Sequence, residues 1–286
     1  MTTKFDKITV LGVGQIGASF ALAIRNKGLC RHIAGSGRHE NNLLRAKEMG
    51  IIDSYDLDPA AACTASELVL LSAPVGAFPD LVRRCSASLK RGAIITDAGS
   101  VKGSLVRDIE RLLPAHVRYI GGHPIAGSDR SGIDSSSADL FKNAKCIVTP
   151  TENSDAAALN IVTDIWKSLG SQVITMDPAA HDRIYGAVSH LPHVIAYALM
   201  NTVSDIDPAY LEFCGQGFKD TTRIASSSPE MWRDICLFNR ENLIEMLLVF
   251  QKKLELFGRY LEASDSVSIE KEFKKARDLR DGIGQG

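Results

Sequence analysis

Short apolar runs, most of them β-branched, recur along the first part of the chain at intervals of about 20 to 35 residues, the spacing of βα units. They fall at residues 8–11, 32–35, 68–72, 93–97, 117–121, 146–149 and 172–176, with helix-like segments between them. Runs that are apolar throughout are the mark of strands covered on both faces. The pattern predicts an α/β fold, a Rossmann-type doubly wound parallel sheet with helices on both sides. After Asp177-Pro178 the alternation stops and long helical segments follow, which divides the chain into an α/β domain over 1–177 and an all-helical domain over 178–286. The clearest helix covers residues 231–263, with Leu247, Phe250, Leu254, Phe257 and Leu261 recurring on one face. Such a seam has to be covered. An intrachain core and a homodimer through the helical domain both satisfy it, and the scarcity of other elements favours the dimer. From Ser264 onward the chain is polar and charged, as in a solvated terminal helix.

Composition narrows the function classes. A length of 286 residues suits two domains, and 45% hydrophobic with 23% charged residues excludes general disorder. With 33 basic against 34 acidic residues there is no surplus charge for nucleic acid or an anionic membrane. No apolar run is long enough to span a bilayer, and the first is too short for a secretion signal, so a cytoplasmic protein is expected. Cys30, Cys63, Cys85, Cys146, Cys214 and Cys236 form no CxxC pair, which fits reduced thiols better than a disulfide framework or a zinc knuckle.

Gly12-Val13-Gly14-Gln15-Ile16-Gly17 directly follows the first predicted strand and opens a helix-forming stretch. In that context a GxGxxG predicts a dinucleotide site: Gly12 for the tight turn, Gly14 for close approach of a pyrophosphate, Gly17 for helix-on-strand packing. The helix N-terminus, with Gln15 and Ile16, faces the anion. The second strand does not end in the carboxylate that an NAD enzyme usually offers the ribose; Ser36, Arg38 and His39 follow instead and suit a 2′-phosphate. NADP is the expected cofactor, with NAD as the alternative if Glu40 serves the ribose from a shifted position. Ser72 and Pro74, after the third strand, complete the expected cofactor contacts.

In an open parallel sheet, chemistry gathers beyond the carboxyl ends of the strands. There lie Asp97-Ala98-Gly99-Ser100-Val101-Lys102 and Gly121-Gly122-His123-Pro124-Ile125-Ala126-Gly127-Ser128. A histidine at this edge can take a proton from an alcohol as hydride leaves the same carbon.

With GVGQIGAS, TDAGSVKG, GGHPIAGS, SHLPH and GFKDTTRIASSSPEMW in this order, the chain resembles the prephenate and arogenate dehydrogenases of tyrosine biosynthesis over nearly its whole length. The resemblance implies a dinucleotide-binding domain followed by a helical dimerisation domain. It also implies oxidative decarboxylation of a cyclohexadienol by hydride transfer. On it, His123 is the catalytic base and Ser100 orients His123 or the substrate hydroxyl. Arg223 clamps a carboxylate, while His190 and, more weakly, Ser189 line the pocket. Asp129, six residues after His123, is placed to pair with the ammonium of arogenate, which prephenate lacks, or else caps a helix or faces solvent. No metal is expected, because His190 and His193 have no third ligand at a suitable spacing. Compared with longer relatives, neither an appended amino-acid-sensing domain after the long helix nor a fused chorismate mutase before the first strand is expected. Two other readings remain open. One is a β-hydroxyacid dehydrogenase or imine reductase of related architecture, for which Lys219 is the tempting lysine; the other is a redox-sensing protein that binds NADP without turning it over.

Overall fold

The computed structural model describes residues 4–127 and 132–283. Eight strands form one sheet: β1 (Phe5–Leu11), β2 (Cys30–Ser36), β3 (Ser54–Tyr55), β4 (Leu68–Leu71), β5 (Ile94–Asp97), β6 (Arg118–Pro124), β7 (Lys145–Thr149) and β8 (Gln172–Thr175). Their spatial order is β3-β2-β1-β4-β5-β6-β7-β8. The first six run parallel, and the order reverses between β1 and β4, the place where an open α/β sheet forms its crevice.

Alternation along the strands divides the core into two layers. Ile8, Val10, Leu68, Leu70 and Ile94 face one way, under α1 (Gln15–Asn26), α2 (Glu40–Glu48) and α6 (Ala156–Ser168). Leu11, Val69, Leu71 and Ile95 face the other, under α3 (Pro59–Cys63), α4 (Phe78–Cys85) and α5 (Gly103–Leu112). Trp166 of α6 is fully buried in the first layer against Phe20 and Phe141, with ring centroids 5.4 and 5.2 Å away.

The sheet departs from the all-parallel expectation at one joint, where β7 pairs antiparallel with β6 and β8 then runs parallel to β7. A parallel return needs a long crossover, usually a helix. Between β6 and β7 the described residues contain only the short turn Ile133–Ser135, and the chain comes back in the opposite direction. The two-residue β3 is also absent from the expected strands, being too short to leave a pattern.

After β8 the chain turns helical where expected. Asp177 caps α7 (Pro178–Tyr185), its carboxylate accepting from the amides of Ala179 and Ala180. A wide π turn (Gly186–His190) joins α7 to α8 (Leu191–Ile206). Pro192 cannot donate to the carbonyl four residues back, and the wider turn absorbs that missing bond. Two shorter elements follow, α9 (Gln216–Thr222) and α10 (Pro229–Phe238), the second capped by Ser228. The single helix expected over 231–263 is broken: α10 ends at Phe238, Asn239 adopts φ −109° and ψ 27°, and α11 (Arg240–Glu262) begins anew.

Two compact units result, residues 1–240 and 241–286. The first extends so far because Trp232 and Ile235 of α10 are buried in the second core layer of the sheet. In the second unit, α11 turns into α12 (Ser266–Asp281), which is capped by Asp265. Phe257 stacks on Phe273 at 5.5 Å across this hairpin. Leu254 and Leu261 of the expected seam are exposed. No helix among the described residues is long and apolar enough to cross a membrane.

Candidate active site

Every described site residue expected in the sheet domain lies after the carboxyl end of one of five adjacent strands, β2, β1, β4, β5 and β6, or just inside it. At β1, Gly12 has φ +103°, and a Cβ on it would come within 2.4 Å of the Ala73 amide. Only glycine makes this turn. A Cβ on Gly17 would lie 2.3 Å from the Gly12 carbonyl, which explains the third glycine by packing alone. Ser72 ties the loop down, its hydroxyl donating to the Gly12 carbonyl at 2.9 Å.

Beside this loop a cleft of about 650 Å³ is lined by Gly12, Gly14, Ser36, Arg38, His39, Ser72 and Pro74, and on its far side by Glu230, Arg233 and Asp234 of α10. The tight turn, the helix N-terminus at Gln15 and the cleft together fit a dinucleotide. Gln15, Ile16 and Gly17 do not line the cleft. Gln15 donates to the Ser135 carbonyl at 3.1 Å, and Ile16 packs on the first core layer. Arg38 meets the Glu230 carboxylate through two guanidinium nitrogens at 3.0 and 3.4 Å. Glu40 starts α2 and accepts from the Tyr55 hydroxyl at 3.3 Å.

Two strands beyond, β5 ends in a buried ion pair. Lys102 Nζ uses all three protons: on Asp97 Oδ1 at 2.6 Å and on the carbonyls of Gly99 and Val101 at 2.7 and 3.1 Å. Asp97 also accepts from the Gly99 amide, the Tyr119 hydroxyl and the Gly122 amide. Both side chains are essentially inaccessible to water, and every polar atom of the pair is satisfied. The network joins the loop that carries Ser100 to the strand that carries His123.

His123, in β6, is 9% exposed. Its Nδ1 lies 2.8 Å from Nε2 of His181 in α7, and His181 Nδ1 lies 2.8 Å from Asp182 Oδ1, which also accepts from the Lys102 amide at 2.7 Å. Tyr185 packs its ring on both histidines, at 5.0 and 4.6 Å. Burial drives the titration of the group. His123 is held well below the usual histidine range, chiefly by desolvation and then by the neighbouring His181 and Lys102. Desolvation also lowers His181 to about 2 and His190 to about 4, and raises Asp182 to about 6. A neutral imidazole at neutral pH is a base ready to accept a proton.

The π turn carries Ser189, half-buried, and His190, fully buried. His190 Nδ1 lies 2.9 Å from Asn239 Nδ2, and the Trp232 ring stands edge-on 6.0 Å away. His193, one turn on, donates from Nδ1 to the Ser189 carbonyl and stacks on Trp232 at 3.5 Å. The backbone of Ser100 lies beside His190 and favours its charged form. Arg223 opens the turn Arg223–Ser226 at the surface. Asp129 lies outside the described residues. Lys219 is exposed on α9. His181, Asp182, Tyr185, Lys102, Asp97, Asn239 and Trp232 were not singled out from the sequence. The His-Asp pair one turn after the Asp177 cap was the only local signal for the first two.

The family described as "Prephenate dehydrogenase, nucleotide-binding domain" matches residues 20–175, and "Prephenate dehydrogenase, dimerization domain" matches 177–275. The prephenate dehydrogenase of Bacillus subtilis is 32% identical over 287 residues, 99% of this chain and 77% of that protein. This chain belongs to the prephenate dehydrogenase family. The family is one of oxidoreductases of tyrosine biosynthesis, with a Rossmann-like domain and a helical domain. The cyclohexadienyl dehydrogenase of Zymomonas mobilis is 32% identical over 284 residues, 97% of this chain and 96% of that protein. The crystal structure of prephenate dehydrogenase from A. aeolicus, in complex with hydroxyphenyl propionate and NAD+, matches with a TM-score of 0.92 and 35% identity over 99% of this chain and 100% of that one. Likeness to a 3-hydroxyisobutyrate dehydrogenase, at 14% identity, is a likeness of fold alone.

Two outcomes follow for the buried charges. Lys102→Met strands the Asp97 carboxylate and lowers unfolding free energy by about 3–5 kcal/mol in urea titrations; a loss under about 1 kcal/mol would show that water reaches Asp97 in the variant. Acid has a signed effect. Above about pH 7.5 the three histidines are neutral in both states and contribute nothing. As pH falls further, the unfolded chain binds protons that folded His123, His190 and His181 refuse, while Asp182, raised to about 6, opposes them with a single site. Melting temperature therefore falls between pH 7 and pH 5, and a constant or rising value over that range would contradict the buried-neutral assignment.

Proposed function

We propose that the protein converts prephenate or arogenate, with NADP preferred and NAD as the alternative acceptor, into 4-hydroxyphenylpyruvate or tyrosine. The observation that carries this is the buried, neutral His123 on the same sheet edge as the glycine loop. Bound nicotinamide supplies the hydride acceptor. The substrate C4 hydroxyl gives its proton to His123 as the C4–H bond breaks, the C1 carboxylate leaves as carbon dioxide, and the ring becomes aromatic. His190 and Arg223 hold substrate oxygens, with Ser189 beside them; the guanidinium fork suits a carboxylate. Ser100 orients His123 or the hydroxyl, and Asp129 is the residue to favour the ammonium of arogenate.

The preference for NADP rests on the absence of a carboxylate at the end of β2 and the presence there of Ser36, Arg38 and His39. Glu230 holds the Arg38 guanidinium that a 2′-phosphate would use, so the phosphate displaces it. The homodimer is proposed through the helical domain 178–286, in line with the family's dimerization domain and with the exposed Leu248, Val249, Leu254, Leu261 and Leu279 of α11 and α12. Six free thiols suit a cytoplasmic protein.

Initial rates with both substrates and both cofactors test the reading. Turnover of at least one cyclohexadienol, abolished by His123→Asn, is expected, with kcat/KM higher for NADP than for NAD. Because an exposed ion pair is worth about 1 kcal/mol at most, Glu230→Gln lowers KM for NADP by up to about fivefold and leaves that for NAD unchanged. Equal effects on the two cofactors would remove Arg38 from the phosphate site, and NADPH binding without any turnover would replace the enzyme with a redox sensor.

A further inference from the structure

Three side chains behind the pocket, His181, Asp182 and Asn239, have no part in the mechanism above, yet they link its two histidines. His181 is fully buried and spends one ring nitrogen on His123 and the other on Asp182. Asn239, 3% exposed, breaks what would otherwise be a continuous helix and turns its amide inward. Its Nδ2 lies 2.8 Å from the backbone carbonyl of Asp182 and 2.9 Å from His190 Nδ1. Asp182 thus reaches one pocket histidine from its side chain and the other from its main chain.

We infer that Asp182 fixes the two histidines in opposite tautomers, leaving His123 Nε2 as a lone-pair acceptor and His190 Nε2 as an N–H donor. The inference rests on the function proposed above for what the pocket binds, and on geometry for the rest. An ionised carboxylate can only accept. Oδ1 of Asp182 takes the Lys102 amide, so His181 Nδ1 must bring the proton to it. His181 Nε2 then carries a lone pair, and the 2.8 Å contact with His123 Nδ1 requires that nitrogen to be the donor. One proton per neutral ring leaves His123 Nε2 bare. On the other branch, a backbone carbonyl only accepts, which identifies the Asn239 atom against it as the amide nitrogen. The same NH2 group donates to His190 Nδ1, and the ring proton of His190 must be on Nε2. That nitrogen is buried and makes no full hydrogen bond within the protein, the Ser100 backbone beside the ring being a near acceptor only. An orphaned buried donor is costly, and an anionic or hydroxyl oxygen of a ligand relieves it.

The opposite settings suit a substrate that must lose a proton at one oxygen and be held at another. His123 Nε2 forms a bond to the C4 hydroxyl proton as the O–H bond breaks. The imidazolium that results keeps its Nδ1–H on His181, with the Asp182 carboxylate at the far end of the chain. Reversing both tautomers would point an N–H at the hydroxyl hydrogen and a lone pair at a carboxylate. His181, Asp182 and Asn239 are therefore positioning residues, acting through His123 and His190.

The test uses the full-length protein and two readouts. ¹⁵N NMR of histidine-labelled wild type at pH 7.5 is expected to give a protonated Nδ1 and bare Nε2 for His123, and the reverse for His190. In kinetics, His181→Leu removes the acceptor behind His123 and is expected to lower kcat by about 100-fold with KM nearly unchanged. His181→Gln presents a carbonyl at similar reach and recovers most of that loss, which a purely structural role would not separate at equal melting temperature. Asn239→Asp inverts His190 and raises KM more than it lowers kcat. The same tautomer on both rings, or a folded His181→Leu with wild-type kcat, overturns the inference. If the tautomers are as expected and no cyclohexadienol is turned over, the proposed function fails and the inference about Asp182 stands.

Discussion

A lysine withdrawn from water has to be given a carboxylate and two more acceptors, and the Asp97–Lys102 pair meets that demand with groups from only two strand ends. Removing two charges from water costs several kcal/mol per ion unless all their polar atoms are satisfied. Complete satisfaction here requires the 97–102 loop to fold back on itself and β6 to approach with the Tyr119 hydroxyl and the Gly122 amide. His123 is the next residue, and the Lys102 amide is one of the donors that hold Asp182. The pair accordingly sets the distance between the Ser100 loop and His123, and anchors the His181–Asp182 chain behind His123. It also places a positive charge near the histidines, which adds to burial in keeping them neutral.

The helical segment after β8 completes the site instead of standing apart from it. His181 and Asp182 come from α7, His190 from the π turn, and Trp232 and Glu230 from α10. Trp232 belongs to the sheet's second core layer while its ring stacks on His193, so burial of one apolar side chain fixes both the helix and the pocket wall. The glycine loop on β1 and His123 on β6, 111 residues apart in sequence, come to one edge because four parallel strands lie side by side between β1 and β6 inclusive.

Much of this was legible in the residues. The strands that bury both faces announce themselves as β-branched runs, and the glycine loop is unambiguous because strand, motif and helix follow in order. What escaped has physical reasons. The direction of β7 is decided by the connection before it, which no pattern within Lys145–Thr149 records. The break at Asn239 is invisible because asparagine is tolerated in a helical pattern, and its task, a contact with His190, spans 49 residues. The His123–His181 contact spans 58. A tautomer is a property of three or four groups brought together, and single residues carry no sign of it. Arg38 stands out in the sequence as a cation after β2, but its partner Glu230 lies 192 residues away.

The central claim is that this sheet edge joins hydride loss from a ring carbon to proton loss from the hydroxyl on that carbon. The most direct measurement follows the atoms: prephenate or arogenate carrying deuterium at C4 and ¹³C in the ring carboxylate, incubated with the protein and NADP. Deuterium appearing at C4 of the reduced nicotinamide, in one prochiral position and in step with ¹³CO₂, is the predicted result. Label retained on the ring, or washed into solvent while the nicotinamide stays oxidised, would contradict it.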